Sequence, residues 1–141
     1  NNIVRMEIDM DTRVELAVDK KKKGMNCAQA VACTYCDYAG LDEATMAAIT
    51  QSLGTGIGGT LEGTCGAITG ACTVVGLVNK EAGRGKAMQA AKYIVNNFKQ
   101  SNQTVTCKTL KGVDTGVMLR SCEDCVRDAA KFLEDMLQSD N

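Results

Sequence analysis

The sequence predicts an all-α fold, a single-domain bundle of about five to seven helices with a glycine-rich loop before the central helix. Three observations carry that expectation. Apolar residues recur three and four positions apart through most of the chain. Cap-forming residues and glycines punctuate those runs at helix-length intervals. Proline is absent, so no run is broken by one. A chain of 141 residues is long enough for one domain with its own core, and residues 1–141 are read as that domain.

The elements follow in order. Val4, Met6, Ile8 and Met10 alternate with polar residues but have no partner strand, so residues 1–10 read as an arm or an early helical turn. Thr12 and Glu15 form a capping box before Val14, Ala17 and Val18, and Gly24 closes that helix. A second helix runs from Asn26 to about Ala39 and stops at Gly40; a third starts at Asp42 with Met46, Ile49 and Leu53 on one face. The loop L-G-T-G-I-G-G-T-L-E-G spans Leu53 to Gly63, and the fourth helix starts at Thr64 and Cys65. Gly66 and Gly70 lie one turn apart in it and permit close helix approach. A fifth helix carries Ala87, Ala91, Ile94 and Phe98, and a short sixth covers Thr106 to Lys111. The last, from Ser121, has the clearest stripe: Val126, Ala129, Ala130, Leu133 and Leu137.

Composition excludes several function classes. The formal charge is −1, and the basic run Lys20 to Lys23 reads as a solvated helix end that complements the dipole. With three Tyr, two Phe and no Trp there is no stacking platform for nucleic acid, which is not expected as a partner. No stretch approaches the roughly 20 apolar residues of a membrane span, so no membrane partner is expected. A cytoplasmic protein is the expectation, with export left open because the chain does not begin with Met. Histidine is absent, which removes histidine general bases, histidine-ligated haem and mixed Cys/His zinc sites.

The chemistry lies in the eight cysteines. Cap-forming residues make up about a quarter of the chain, so about two cysteines would follow one by chance. Five do: Cys27, Cys65, Cys107, Cys122 and Cys125. A thiol in the first turn of a helix faces unpaired N–H groups and the positive dipole end, which favour thiolate, the form that attacks disulfides and binds metal. Helical spacing turns Cys27, Cys65 and Cys122 inward, toward one region that Cys107 would reach from its short helix. Cys33, Cys36 and Cys72 lie in Ala- and Val-rich helices and read as core residues. Cys33 with Cys36, and Cys122 with Cys125, also form C-x-x-C pairs that could bind metal together.

The glycine loop matches G-x-G-x-x-G at Gly54, Gly56 and Gly59, but lacks the preceding strand and immediately following helix of a dinucleotide site. Its expected role is a tight connection beside Cys65, where backbone N–H groups at Gly56, Gly58 and Gly59 would support a thiolate or bound anion. Glu62 reads mainly as an aid to capping the fourth helix, with proton relay as the alternative.

Several segments together resemble the C_GCAxxG_C_C family of small, mostly bacterial redox-active proteins. They are N-C-A-Q-A-V (Asn26 to Val31), the glycine loop, E-G-T-C-G-A-I-T-G-A (Glu62 to Ala71), C-K-T-L-K-G (Cys107 to Gly112) and C-E-D-C-V-R-D-A-A (Cys122 to Ala130). The resemblance implies a helical fold and four family cysteines at Cys27, Cys65, Cys107 and either Cys122 or Cys125. A related helical domain in split-Soret cytochromes carries haem and an iron–sulfur centre; without histidine the haem does not carry over. The leading expectation is thiol/disulfide exchange or electron transfer at Cys65, Cys27, Cys107 and Cys122, with Cys65 as nucleophile and a redox protein or small thiol or disulfide as partner. One alternative is an iron–sulfur cluster, or less readily zinc, held by Cys27, Cys65, Cys107, Cys122 or Cys125. Another is a non-catalytic binding domain with cysteine as core filler. Small-residue helix faces fit a homodimer as well as a monomer.

Overall fold

Each helix starts or stops on a chemical cue, and those cues fix where the thiols lie. The computed structural model describes residues 9–139, which form seven helices. Val4, Met6 and Ile8 of the arm lie outside the described residues. α1 (Met10–Lys22) starts earlier than the Thr12–Glu15 box predicted. The Asp9 carboxylate takes the Thr12 N–H at 3.3 Å, and Glu15 turns away to Arg127 at 2.8 Å. Asp9 is the better acceptor at the helix's positive end, so it wins the cap.

α2 (Cys27–Thr34) has the full capping box: Gln29 N–H donates to Asn26 Oδ1 at 2.9 Å, and Asn26 N–H donates to Gln29 Oε1 at 3.2 Å. It stops at Thr34, short of the expected Ala39. The Arg13 guanidinium donates to the Thr34 carbonyl at 2.9 Å and pairs with Asp37 at 2.8 Å, occupying the acceptor that the helix's next turn would use. Tyr38 N–H bonds to Tyr35 instead, and the chain turns through residues 35–40 to Gly40 at φ 73°.

Tyr35 is fully buried, and its hydroxyl donates to Glu134 Oε2 at 2.6 Å. Burial and the adjacent carboxylate both push the Tyr35 phenol up. Tyr35→Phe removes a charge-assisted bond in the core and should lower stability by about 1.5–3 kcal/mol, read by urea denaturation with an unchanged m-value.

α3 (Glu43–Thr50) is capped by Asp42, whose Oδ1 accepts the Thr45 N–H at 2.7 Å. Its buried face is Met46 and Thr50, four apart; Ile49 is 44% exposed, so the expected Met46–Ile49–Leu53 face is rotated by one residue. α5 (Arg84–Asn102) buries Ile94 and Phe98, with Ala87 and Ala91 partly covered. α7 (Cys122–Ser139) buries all five residues of its predicted stripe. α6 (Cys107–Lys111) is a single short turn.

α4 (Gly66–Val78) is the central helix and packs against α2, α5 and α7, while α1 lies across α2 and α7. A Cβ at Gly70 would sit 2.4 Å from the Ala28 carbonyl oxygen, and one at Gly66 would sit 3.2 Å from Cys27 Cβ. The two glycines therefore let α2 and α4 meet backbone to backbone at the cysteine end, as their spacing predicted. One buried cluster includes Val31, Ile68, Ile94, Phe98, Val126 and Leu133, contributed by four helices. No strand is present among the described residues; an isolated antiparallel bridge joins Thr64 and Thr106.

Candidate functional site

That bridge places two thiols side by side. Cys65 N–H donates to the Val105 carbonyl at 2.7 Å, and Cys107 N–H donates to the Gly63 carbonyl at 3.0 Å. The segments entering α4 and α6 are thus stitched together just ahead of each helix, at Thr64 and Thr106. Thr64 and Thr106 serve the bridge. Neither caps with its side chain, and the N-cap of α4 is Cys65 itself, one residue later than predicted. At the other two starts the cap is the expected one: Asn26 before Cys27, and Ser121, whose hydroxyl accepts the Asp124 N–H at 3.1 Å.

Cys27, Cys65, Cys107, Cys122 and Cys125 line one cavity of about 40 Å³, with Lys21, Thr55, Gly66, Leu110, Lys111 and Arg120 completing its wall. The sulfurs come from the N-terminal ends of four helices, so the gathering expected from the caps is present. Cys122 and Cys125, the two candidates for the fourth family cysteine, both line the cavity. They are three residues apart in a C-x-x-C turn of α7, and Cys125 is 2% exposed whereas Cys122 is half-buried.

The thiols associate in pairs. Cys27 hydrogen-bonds Cys122, and Cys65 hydrogen-bonds Cys125. In the first pair the bond from Cys27, followed by the Lys111 and Lys21 charges, brings the Cys122 thiol down to about 5, against the burial that opposes it. The same bond and burial push Cys27 up. In the second pair the bond from Cys125, aided by the N–H groups of Ala67 and Ile68 in the first turn of α4, lowers Cys65, and Cys125 rises in return. Burial raises Cys107. In each pair one thiol is lowered and its neighbour raised: the bond from Cys27 with the Lys111 and Lys21 charges favours the anion at Cys122, and the bond from Cys125 favours it at Cys65.

The remaining cysteines lie elsewhere. Burial lifts Cys33 and Cys72 to about 11 each, and Cys36 also rises. Cys33 sits in the last turn of α2 with its thiol toward the Glu43 carbonyl, and Cys36 follows in the turn. Cys72 faces a separate groove beside Ile68 and Thr69. The two C-x-x-C pairs consequently do not share a site.

The glycine loop supports the cavity through its neighbour residue. Thr55, Ile57 and Leu61 adopt left-handed φ of 52°, 65° and 65°, a costly conformation for side-chain-bearing residues. It is held by Gly58 N–H to Ser52, Leu61 N–H to Thr55 and Gly63 N–H to Gly56 carbonyls, at 2.8, 3.1 and 2.9 Å. Of the loop, Thr55 reaches the cavity wall; Gly56, Gly58 and Gly59 do not. The N–H groups of Gly58 and Gly59 bond within the loop, to Ser52 and Gly54. Glu62 is exposed and pairs with Lys108 at 3.2 Å rather than with the start of α4.

Sequence reasoning missed Lys21, Lys111 and Arg120 as wall residues. Lys21 was hidden within a basic run whose other members are indeed solvated: Lys20 pairs with Glu43 and Lys23 with Asp19. Arg120 is held by Asp128 at 3.0 Å. No local pattern marks Lys111, which faces the thiols only because the bridge docks α6.

An all-thiolate donor set has the softness that iron–sulfur or zinc ligation needs. As placed, however, four of the five cavity sulfurs are paired two by two, and among the described residues no group of three or more Cys, Asp or Glu is arranged to hold a metal ion. Among the described residues, no helix is long and apolar enough to cross a membrane.

The profile of a family described as "Putative redox-active protein (C_GCAxxG_C_C)" matches residues 25–136, from the residue before the α2 cap into the last turn of α7. No match was found among curated proteins or among solved structures. The matched span contains all five cavity cysteines and every helix that carries them, and the chain belongs to the C_GCAxxG_C_C family of redox-active proteins.

Proposed function

We propose that the protein is a thiol/disulfide oxidoreductase in which Cys122 is the attacking thiolate and Cys27 the resolving thiol. The observation that carries this reading is the Cys27–Cys122 contact at the cavity mouth, where the low-lying thiol is also the accessible one. Cys65, the nucleophile favoured from sequence, is 5% exposed and better suited to internal exchange with Cys125.

The Cys122 thiolate attacks a substrate disulfide R–S–S–R, forming Cys122–S–S–R and releasing RS⁻. With the Cys122 charge gone, Cys27 loses its proton more readily and attacks the Cys122 sulfur. A Cys27–Cys122 disulfide forms, and the second R–S leaves with the Cys27 proton. Two electrons pass from protein to substrate. Iron–sulfur ligation, the alternative, would require the sulfurs to leave these pairs for a common ligand set, and no step is routed through one.

Alkylation by iodoacetamide across pH 4–9, followed by peptide mass mapping, tests the assignment. Cys122 should titrate with an apparent pKa near 5, so its rate rises between pH 4 and 6 and is flat above. A Cys122 rate that climbs through pH 8–9, as for a free thiol of pKa about 8.5, would contradict it.

A further inference from the structure

We propose that the substrate of the Cys122–Cys27 pair is a small disulfide bearing negative charge, bound by Lys21 and Lys111. This rests on the redox reading above and adds the substrate's chemical class. The cavity of about 40 Å³ has room for one end of a small molecule. Two of its wall residues are lysines from different helices, Lys21 in the last turn of α1 and Lys111 at the end of α6.

The neighbouring cations are committed: Lys20 to Glu43, Lys108 to Glu62 and Asp114, Arg120 to Asp128. Lys21 and Lys111 have no carboxylate partner among the described residues. In the reduced protein the Cys122 thiolate is the anion they face. Once that sulfur enters a mixed disulfide its charge is consumed, and two cations remain against a small, partly dry cavity. A carboxylate or sulfonate on the substrate replaces the lost charge where a neutral group could not. The departing thiolate also forms beside these lysines, which eases its release.

The test is single-turnover reaction of the reduced protein with bis(2-carboxyethyl) disulfide and with bis(2-hydroxyethyl) disulfide, an anionic and a neutral probe of nearly equal size. The mixed disulfide at Cys122 is read by mass spectrometry in the wild type and in Lys21→Gln/Lys111→Gln. Taking the ratio of the two rates cancels any change in thiolate fraction. Relative to a free thiol, the wild-type ratio should favour the anion by about tenfold at low salt, and both the double variant and high salt should abolish that preference. Rapid reaction with the neutral probe but no anionic preference overturns this inference alone. No reaction of Cys122 with either probe overturns the redox reading and this inference with it.

Discussion

Replacing Cys122 with serine should remove the fast phase of reaction with small disulfides below neutral pH, lowering the rate at pH 6 by about eightfold. The size follows from two opposing effects. A thiol near 5 is mostly ionised at pH 6, whereas a free thiol of pKa about 8.5 is ionised to about 0.3%. That population advantage is about 300-fold. A less basic thiolate is intrinsically less nucleophilic, and with a Brønsted slope of about 0.45 the loss is about 40-fold. The population effect wins at pH 6, and the two nearly cancel at pH 7. The variant should therefore be compared with wild type at pH 6 by stopped-flow, where Cys122→Ser loses the fast phase and Cys65→Ser keeps it. Cys27→Ser should behave differently again, reacting once and stalling as a mixed disulfide on Cys122 that mass spectrometry detects. A Cys122→Ser protein as reactive at pH 6 as wild type would place the attacking sulfur elsewhere.

Gly70→Ala should destabilise the fold by about 1–3 kcal/mol, a sign opposite to the usual gain from replacing glycine inside a helix. The added Cβ would lie 2.4 Å from the Ala28 carbonyl oxygen and 2.9 Å from its Cα. Those are backbone atoms with no rotamer to yield, so α2 and α4 must separate. Gly76→Ala, in the same helix with nothing within 4 Å of the built Cβ, is the control and should be neutral or stabilising. Because Cys27 begins α2 and Cys65 caps α4, the clash should also move the two thiol pairs apart, and the alkylation pKa of Cys122 should rise toward that of a free thiol. Equal stability of Gly70→Ala and wild type in urea denaturation would contradict the close crossing.

Much of this was legible because it is local. The α7 stripe, the Asn26 capping box and the Gly66–Gly70 spacing are patterns within a few residues, and the four cap-associated cysteines follow from the same reading. The departures arise where a distant group competes with a local preference. Arg13, from another helix, takes the carbonyl that would have extended α2. Thr64 and Thr106 read as caps, but the bridge between their segments uses them, and Cys65 takes the N-cap position of α4, its carbonyl accepting from Ile68 and Thr69. Lys111 could not be read at all, since its meeting with Cys122 depends on how α6 docks on the chain before α4. Cys125 was discernible as an alternative to Cys122 and as its C-x-x-C partner, while one helical turn presents both to a cavity that residues of four other helices and the glycine loop complete.

The proposed redox function requires Cys27 and Cys122, far apart in the chain, to meet as a redox pair. Mild oxidation of the reduced protein with one equivalent of a small disulfide, followed by acid quench and disulfide mapping, tests this most directly. The prediction is a dominant Cys27–Cys122 linkage, with Cys65–Cys125 appearing on further oxidation and Cys33, Cys36 and Cys72 left as thiols. A first-formed disulfide that joins Cys33 to Cys36, or that includes Cys72, with Cys27 and Cys122 both still reduced, would contradict it.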